Sequence, residues 1–187
     1  MSGILLETIL FYALSCSTVL VYGIGLERSF LDSGTDTVFY SRIPVLLLIS
    51  LSSFVVIWFP VTFIFIPLNI TYLVPVFSVT VCVFAQYAFS LVGLLQKPSP
   101  GEERIFYFGI VFLALFEGIF FLQGLLIIFS GVLSYTLVTT LLFSIRERIL
   151  SSKLPSSWKG GPIALISLGL LSLAFYAPDV SWWFIKG

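Results

Sequence analysis

Glu117 lies near the middle of an apolar run from Ile105 to Leu122. Among lipid tails a carboxylate costs on the order of 3 kcal/mol, so such a side chain turns toward a partner, a cavity or an ion path. Its chemistry is that of a hard oxygen: proton exchange, cation contact or acceptance of hydrogen bonds. The plainer alternative is a structural carboxylate, hydrogen-bonded to a Ser, Thr or backbone group at a subunit interface. Gln86 is the second polar group inside an apolar stretch, and its amide suits a bond to a neighbouring helix or membership of a relay. Glu27 follows Gly23-Ile24-Gly25 and stands beside Arg28, where an ordinary surface ion pair is the alternative to a site role. Glu7 reads as a solvated residue at a helix end. Cys16 and Cys82 fall in apolar runs without a C-x-x-C spacing, and read as small buried apolar side chains. The chain has no histidine, which excludes ligation of haem through His and His-based acid–base chemistry.

These residues sit in a chain of 187 residues that is 59% hydrophobic and 10% charged, with mean hydropathy +1.13. A soluble domain is nearer 25% charged. The composition describes one integral membrane domain over residues 1–187, with no soluble domain and no nucleotide fingerprint. The formal net charge of zero gives no reason to expect nucleic acid as a partner. The first residues carry no Lys or Arg ahead of the apolar core and Glu7 is acidic, so the first apolar segment is expected to remain in the mature protein rather than act as a signal peptide.

A spanning helix needs about 20 largely apolar residues. Six runs meet that measure: 4–22, 43–66, 72–95, 105–122, 125–145 and 161–178. The pattern predicts an all-α polytopic fold of six transmembrane helices. Arg28, Arg42, Lys97, Arg104, Arg146, Arg148, Lys153 and Lys159 fall in loops of one side, and Lys186 alone falls on the other. Basic residues concentrate in short cytoplasmic loops, so both termini are expected on the non-cytoplasmic side. Trp182-Trp183-Phe184 fits an aromatic anchor at that outer interface. Two halves of three spans then have opposite topology, as in inverted-repeat transport proteins whose sites lie on interrupted helices. The first span of each half carries glycines: Gly23 and Gly25 at the end of the first, Gly118 within the fourth. A break there survives at membrane depth only when protein or water covers it. An ordinary helix end is the alternative at Gly23.

The segment Ile145-Arg146-Glu147-Arg148-Ile149, and the run from Leu154-Pro155 through Gly161-Pro162-Ile163-Ala164-Leu165-Ile166 to Ser172-Leu173-Ala174-Phe175, carry a family resemblance. They resemble the six-helix membrane subunits RnfA and NqrE of the Rnf and sodium-pumping NADH:quinone oxidoreductase complexes. Those subunits typically show an I-R-E-R-L-like segment followed by V-P-x-x-F-x-G-x-P-I-A-L-I-T-A-G-L-x-S-L-A-F. Ser99-Pro100 and Gln86-Tyr87 match further short features of the family. The resemblance implies a bacterial-type inner membrane location, a sister subunit of opposite topology resembling RnfE and NqrD, and flavin-carrying partner subunits. It also implies a 2Fe-2S cluster in mid-membrane, to which this subunit would give one cysteine from the end of helix one and one from helix four. This chain departs at both places. Laid ungapped on the two motifs, Glu27 and Glu117 occupy the cysteine positions. Carboxylates favour Na⁺, Mg²⁺ or protons over iron–sulfur clusters. No cluster ligand of its own is therefore expected, and Glu117, Glu27 and Gln86 become candidates for an ion or proton relay.

The expected function is a membrane subunit of an ion-motive electron transport complex coupling electron transfer to Na⁺ or H⁺ translocation, itself without catalytic residues. The competing reading is a relative that kept the fold without redox chemistry, as a cation or small-solute transporter or a membrane scaffold.

Overall fold

The computed structural model describes residues 9, 11–15, 17–24, 36–91, 101–151 and 161–185. Every regular element among them is helical. The long helices are α1 (Asp36–Pro60), α2 (Val74–Leu91), α3 (Gly101–Glu117), α4 (Phe121–Leu150) and α5 (Gly161–Ile185). The segments Ile43–Phe65, Thr71–Leu91 and Phe121–Ile149 are long and apolar enough to cross a membrane, while Ile105–Glu117 and Leu165–Tyr176 are shorter apolar helices.

Local chemistry explains where these elements stop. Pro60 ends α1 because it removes a ladder donor and its ring crowds the preceding turn. The chain continues as a π-helical turn, Val61–Phe65. It then reverses at Asn69, whose φ of 57° is a left-handed conformation that Asn tolerates better than most residues. A short 3₁₀ turn, Thr71–Leu73, leads into α2. Pro75 falls in the first turn of α2, where a missing N–H costs nothing.

Helix α1 is the hub and packs against α2, α3 and α4. Between α1, α3 and α4 lies a core of fully buried side chains, among them Ile49, Ile57, Phe106, Ile110, Ile128 and Tyr135. Helices α3 and α4 form an antiparallel hairpin. The Phe106 and Tyr135 rings stand 4.5 Å apart, and a side chain at Gly131 would meet Ile110. Helix α5 touches α4 more lightly. Of its described side chains Leu168 is buried, while Leu165, Leu170 and Leu173 are exposed to whatever surrounds the bundle.

Before α1 the described residues are few: Ile9 is helical and the rest lie within 11–15 and 17–24, part of the run expected to be the first span. A π-helical turn occupies Phe11–Ser15, and residues 17–24 have no regular helix. This segment packs on α4, and Ser17, Thr18 and Val19 are completely buried. The fourth apolar run also stops early. Helix α3 closes at Glu117 and α4 opens at Phe121, so the helix expected to continue to Leu122 is broken at Gly118.

Candidate functional site

Glu117 stands at the C-terminal end of α3 rather than in mid-helix. Gly118 breaks the helix and has to be glycine. A side chain there would meet the Ala114 carbonyl oxygen at 2.5 Å and the backbone of Gly124 at 3.0 Å. Phe120 is extended and offers no side-chain cap to α4. Gln123 reaches back instead, and its Oε1 accepts the Ile119 N–H at 3.3 Å. Gly124 is held against the Phe54 ring, and Phe54 is the midpoint of the apolar segment Ile43–Phe65. Phe121 packs on Phe54 and Trp58, with centroids 5.8 and 5.1 Å apart. The α3–α4 turn therefore lies level with the middle of that segment. The stretch from Trp58 to Phe65 runs on beyond it by roughly 10 Å at helical rise.

The irregular segment meets this turn. Tyr22 Oη donates to Glu117 Oε1 at 2.6 Å, joining the first interrupted segment to the end of α3. Gly23 follows at φ +69°, a conformation that costs most side chains, and the chain turns there. Ile24 then packs on Gly109, where a Cβ would fall 3.0 Å from its side chain. Buried polar contacts hold the other end of the segment. Ser17 and Ser134 share a hydroxyl hydrogen bond of 2.7 Å, and Thr18 Oγ1 donates to the Gly131 carbonyl at 3.2 Å. Ile24 N–H bonds the Thr18 carbonyl at 3.1 Å, closing a compact loop. The non-helical backbone at Ser17, Thr18 and Val19 is thus covered by protein, and the carbonyls of Ser17 and Thr18 accept hydrogen bonds, as burial in an apolar medium demands.

Glu117 is partly buried and Tyr22 is exposed at 41%. The pair forms the rim of the bundle, surrounded by exposed Phe116, Ile119 and Phe120. Gln86 lies elsewhere, buried on α2, and makes no hydrogen bond to the pair. Glu27, Gly25, Glu7 and Cys16 lie outside the described residues. Tyr22 was missed in the sequence, where it reads only as the last residue of an apolar run. The signal was present: a phenol directly before Gly23-Ile24-Gly25 sits where a helix break turns it sideways. Gln123 and Ser134 were missed as well, because each acts through a contact distant in the chain or local to a break.

Among the described residues no group of three or more His, Cys, Asp or Glu side chains converges as a metal site. At Glu117 the donors are a carboxylate and a phenol, both oxygen. Cys82 faces Ser53 on α1. This donor set does not fit an iron–sulfur cluster, which wants thiolates.

Curated proteins named as the A component of an ion-translocating oxidoreductase complex match this chain. The relative from Sodalis glossinidius is 35% identical over 131 residues, covering 63% of this chain and 66% of that protein. Relatives from Escherichia coli O1:K1 and Salmonella arizonae are 34% identical over the same extent. The chain thus spans just under two thirds of the length of these relatives. No family model matches it. Taken with the segment Ile145-Arg146-Glu147-Arg148 and the motif that follows it, these matches support an RnfA/NqrE-like family for the chain.

Proposed function

We propose that this chain is a membrane subunit of an Rnf-like ion-translocating electron transport complex, in which it handles a proton or cation rather than holding a redox centre. The relatives' shared name supports the complex. The observation that carries the role is the Tyr22–Glu117 hydrogen bond, where an oxygen pair closes the gap between two interrupted segments. A carboxylate beside a helix break can exchange a proton or contact a cation without moving a helix. The phenol orients it and competes for the same lone pairs, so a bound cation or proton would loosen that bond.

In this reading the fold is six spans arranged as two inverted three-helix repeats, with both termini on the non-cytoplasmic side of the inner membrane. Tyr22 and Gly23 mark the break in the first helix, and Glu117 and Gly118 mark the break in the fourth. Partners are a sister subunit resembling RnfE and NqrD and subunits carrying flavin. Any 2Fe-2S cluster on the electron path would take its ligands from those partners. Glu27 and Gln86 remain relay candidates in the same scheme.

The test is Glu117→Gln in the intact complex reconstituted in vesicles. The introduced amide keeps an oxygen for the Tyr22 hydroxyl but loses the charge, so assembly and iron content are expected to stay at wild-type level while ion uptake per electron falls severalfold. Unchanged ion uptake removes the relay. Iron lost together with the carboxylate shows instead that Glu117 supports a cluster.

A further inference from the structure

The buried face of α2 is a stripe at four-residue spacing, Val74, Ser78, Cys82 and Gln86. Its hydroxyl, thiol and amide point into the bundle, although α2 is otherwise apolar. Helix α1 answers with Ser50 and Ser53, also buried. Ser50, Ser78 and the neighbouring Ser52 are satisfied within their own helices. Ser50 bonds the Leu46 carbonyl at 2.9 Å, Ser52 the Ile49 carbonyl at 2.9 Å and Ser78 the Val74 carbonyl at 2.7 Å. That back-bond is the usual resting place of a helix hydroxyl. Ser53 forgoes it. Its Oγ is buried with no hydrogen-bond partner and faces the Cys82 sulfur, too loose a contact to satisfy the hydroxyl. One helical turn along the same stripe, Gln86 is only 6% exposed and its Nε2 is also without a partner.

Two complementary orphans therefore flank one thiol. A primary amide offers N–H donors, and a hydroxyl both donates and accepts. A buried water typically makes about three hydrogen bonds to groups left unsatisfied by the protein, and Gln86, Ser53 and Cys82 supply three. No acidic side chain lies on α2, so the seam has nothing to neutralise a cation. From this we infer that the α1–α2 seam binds an internal water, held by Gln86 Nε2 and Ser53 Oγ against Cys82. This site is separate from the Tyr22–Glu117 pair and does not rest on the relay reading. It explains why an amide sits inside an apolar hairpin: the water ties α1 to α2 by a polar bridge that neither helix makes alone.

Cys82 is a built-in reporter. Short X-ray pulses produce hydroxyl radicals at bound waters, which oxidise the side chain beside them. In the full chain held in lipid nanodiscs, Cys82 is expected to be oxidised although it is 3% exposed. Equally buried Phe54, whose ring packs on Phe121 and Gly124, serves as the dry control. Gln86→Leu fills the amide's space without its donors, and the Cys82 label is expected to fall to background while thermal unfolding shows the fold intact. A Cys82 that stays unlabelled in the wild-type protein overturns the site, and so does labelling that Gln86→Leu leaves unchanged. The wild-type comparison decides the matter on its own if Gln86→Leu does not fold.

Discussion

Gly124→Ala tests the turn that presents Glu117. The new methyl would lie 2.3 Å from Phe54 Cζ, 2.8 Å from Cε2 and 3.1 Å from Cε1. Carbon atoms rest at about 3.5–4.0 Å, so the ring must retreat by roughly 1 Å or more. It has nowhere to go. Phe54 is 1% exposed and stacked on Phe121, which is itself pressed on its other contacts by Trp58 and Phe59. Overpacking of this kind costs about 1–3 kcal/mol, and a contact this short belongs at the upper end. Alanine returns about 1 kcal/mol of helix propensity. The expected net loss is therefore about 2 kcal/mol. Packing dominates inside a membrane bundle, where no hydrophobic drive separates protein from lipid, so little relieves the clash.

Phe54→Leu supplies the internal check. Alone it loses ring contacts and destabilises by about 1–2 kcal/mol, a fraction of a full Phe→Ala truncation. Combined with Gly124→Ala it gives the methyl room, and the pair should be more stable than the sum of the single losses by at least about 1 kcal/mol. Reversible unfolding of the reconstituted protein, followed by steric trapping or in mixed micelles, reads all four corners of the cycle. If Gly124→Ala matches wild type within about 0.5 kcal/mol, or if the two changes simply add, then α4 does not meet α1 at this level and the placement of Glu117 fails with it.

Gly23→Ala isolates backbone strain, because φ is +69° and nothing lies within 4 Å of the new methyl. It should lose about 1–2 kcal/mol in the same unfolding assay, and Gly23→Asn should lose less. Ser134→Ala breaks the 2.7 Å bond to Ser17 between two fully buried hydroxyls. Interhelical bonds in membranes average about 0.6 kcal/mol, so the loss should be small, and Ser17→Ala added to it should cost little more. Tyr22→Phe keeps the ring and removes the donor to Glu117, so ion uptake per electron should fall less than in Glu117→Gln, with assembly unchanged in both.

The helical class and the long apolar segments were legible because hydropathy reports them directly. Ile43–Phe65, Thr71–Leu91 and Phe121–Ile149 overlap the second, third and fifth apolar runs; the ends on either side of Asn69 agree within a residue, and the last helix extends four residues beyond its run at each end. Gly118 also drew attention to the place where α3 stops. What hydropathy cannot report is which side of a break a residue falls on. Glu117 reads as mid-span because Ile119, Phe120 and Leu122 continue the apolar run, yet Gly118 ends the helix one residue later. Composition sees the run as continuous, whereas the backbone is governed by the approach of Gly118 to Gly124, a contact that no window of hydropathy contains. Tyr22 was hidden for the same reason, since its partner lies 95 residues away.

The two breaks are more informative together than apart. A loop buried against α4 needs its backbone satisfied: the Ser17 carbonyl accepts the Val21 N–H, the Thr18 carbonyl the Ile24 N–H and the Ser17 hydroxyl the Leu20 N–H, while the Ser17–Ser134 and Thr18–Gly131 bonds tie the loop to α4. Those bonds fix the beginning of the segment in depth, and Ile24 packed on Gly109 fixes its end. Tyr22 is thereby delivered to one place on the rim with little freedom. The α3–α4 turn is fixed independently, by Gly118 against Gly124 and Gly124 against Phe54. Two separately anchored pieces of chain thus bring a phenol and a carboxylate to hydrogen-bonding distance at the point where α3 ends. Simple helix packing would not need either break. Retaining both interruptions, each with its own anchor, is the arrangement expected when the oxygen pair is used rather than merely tolerated.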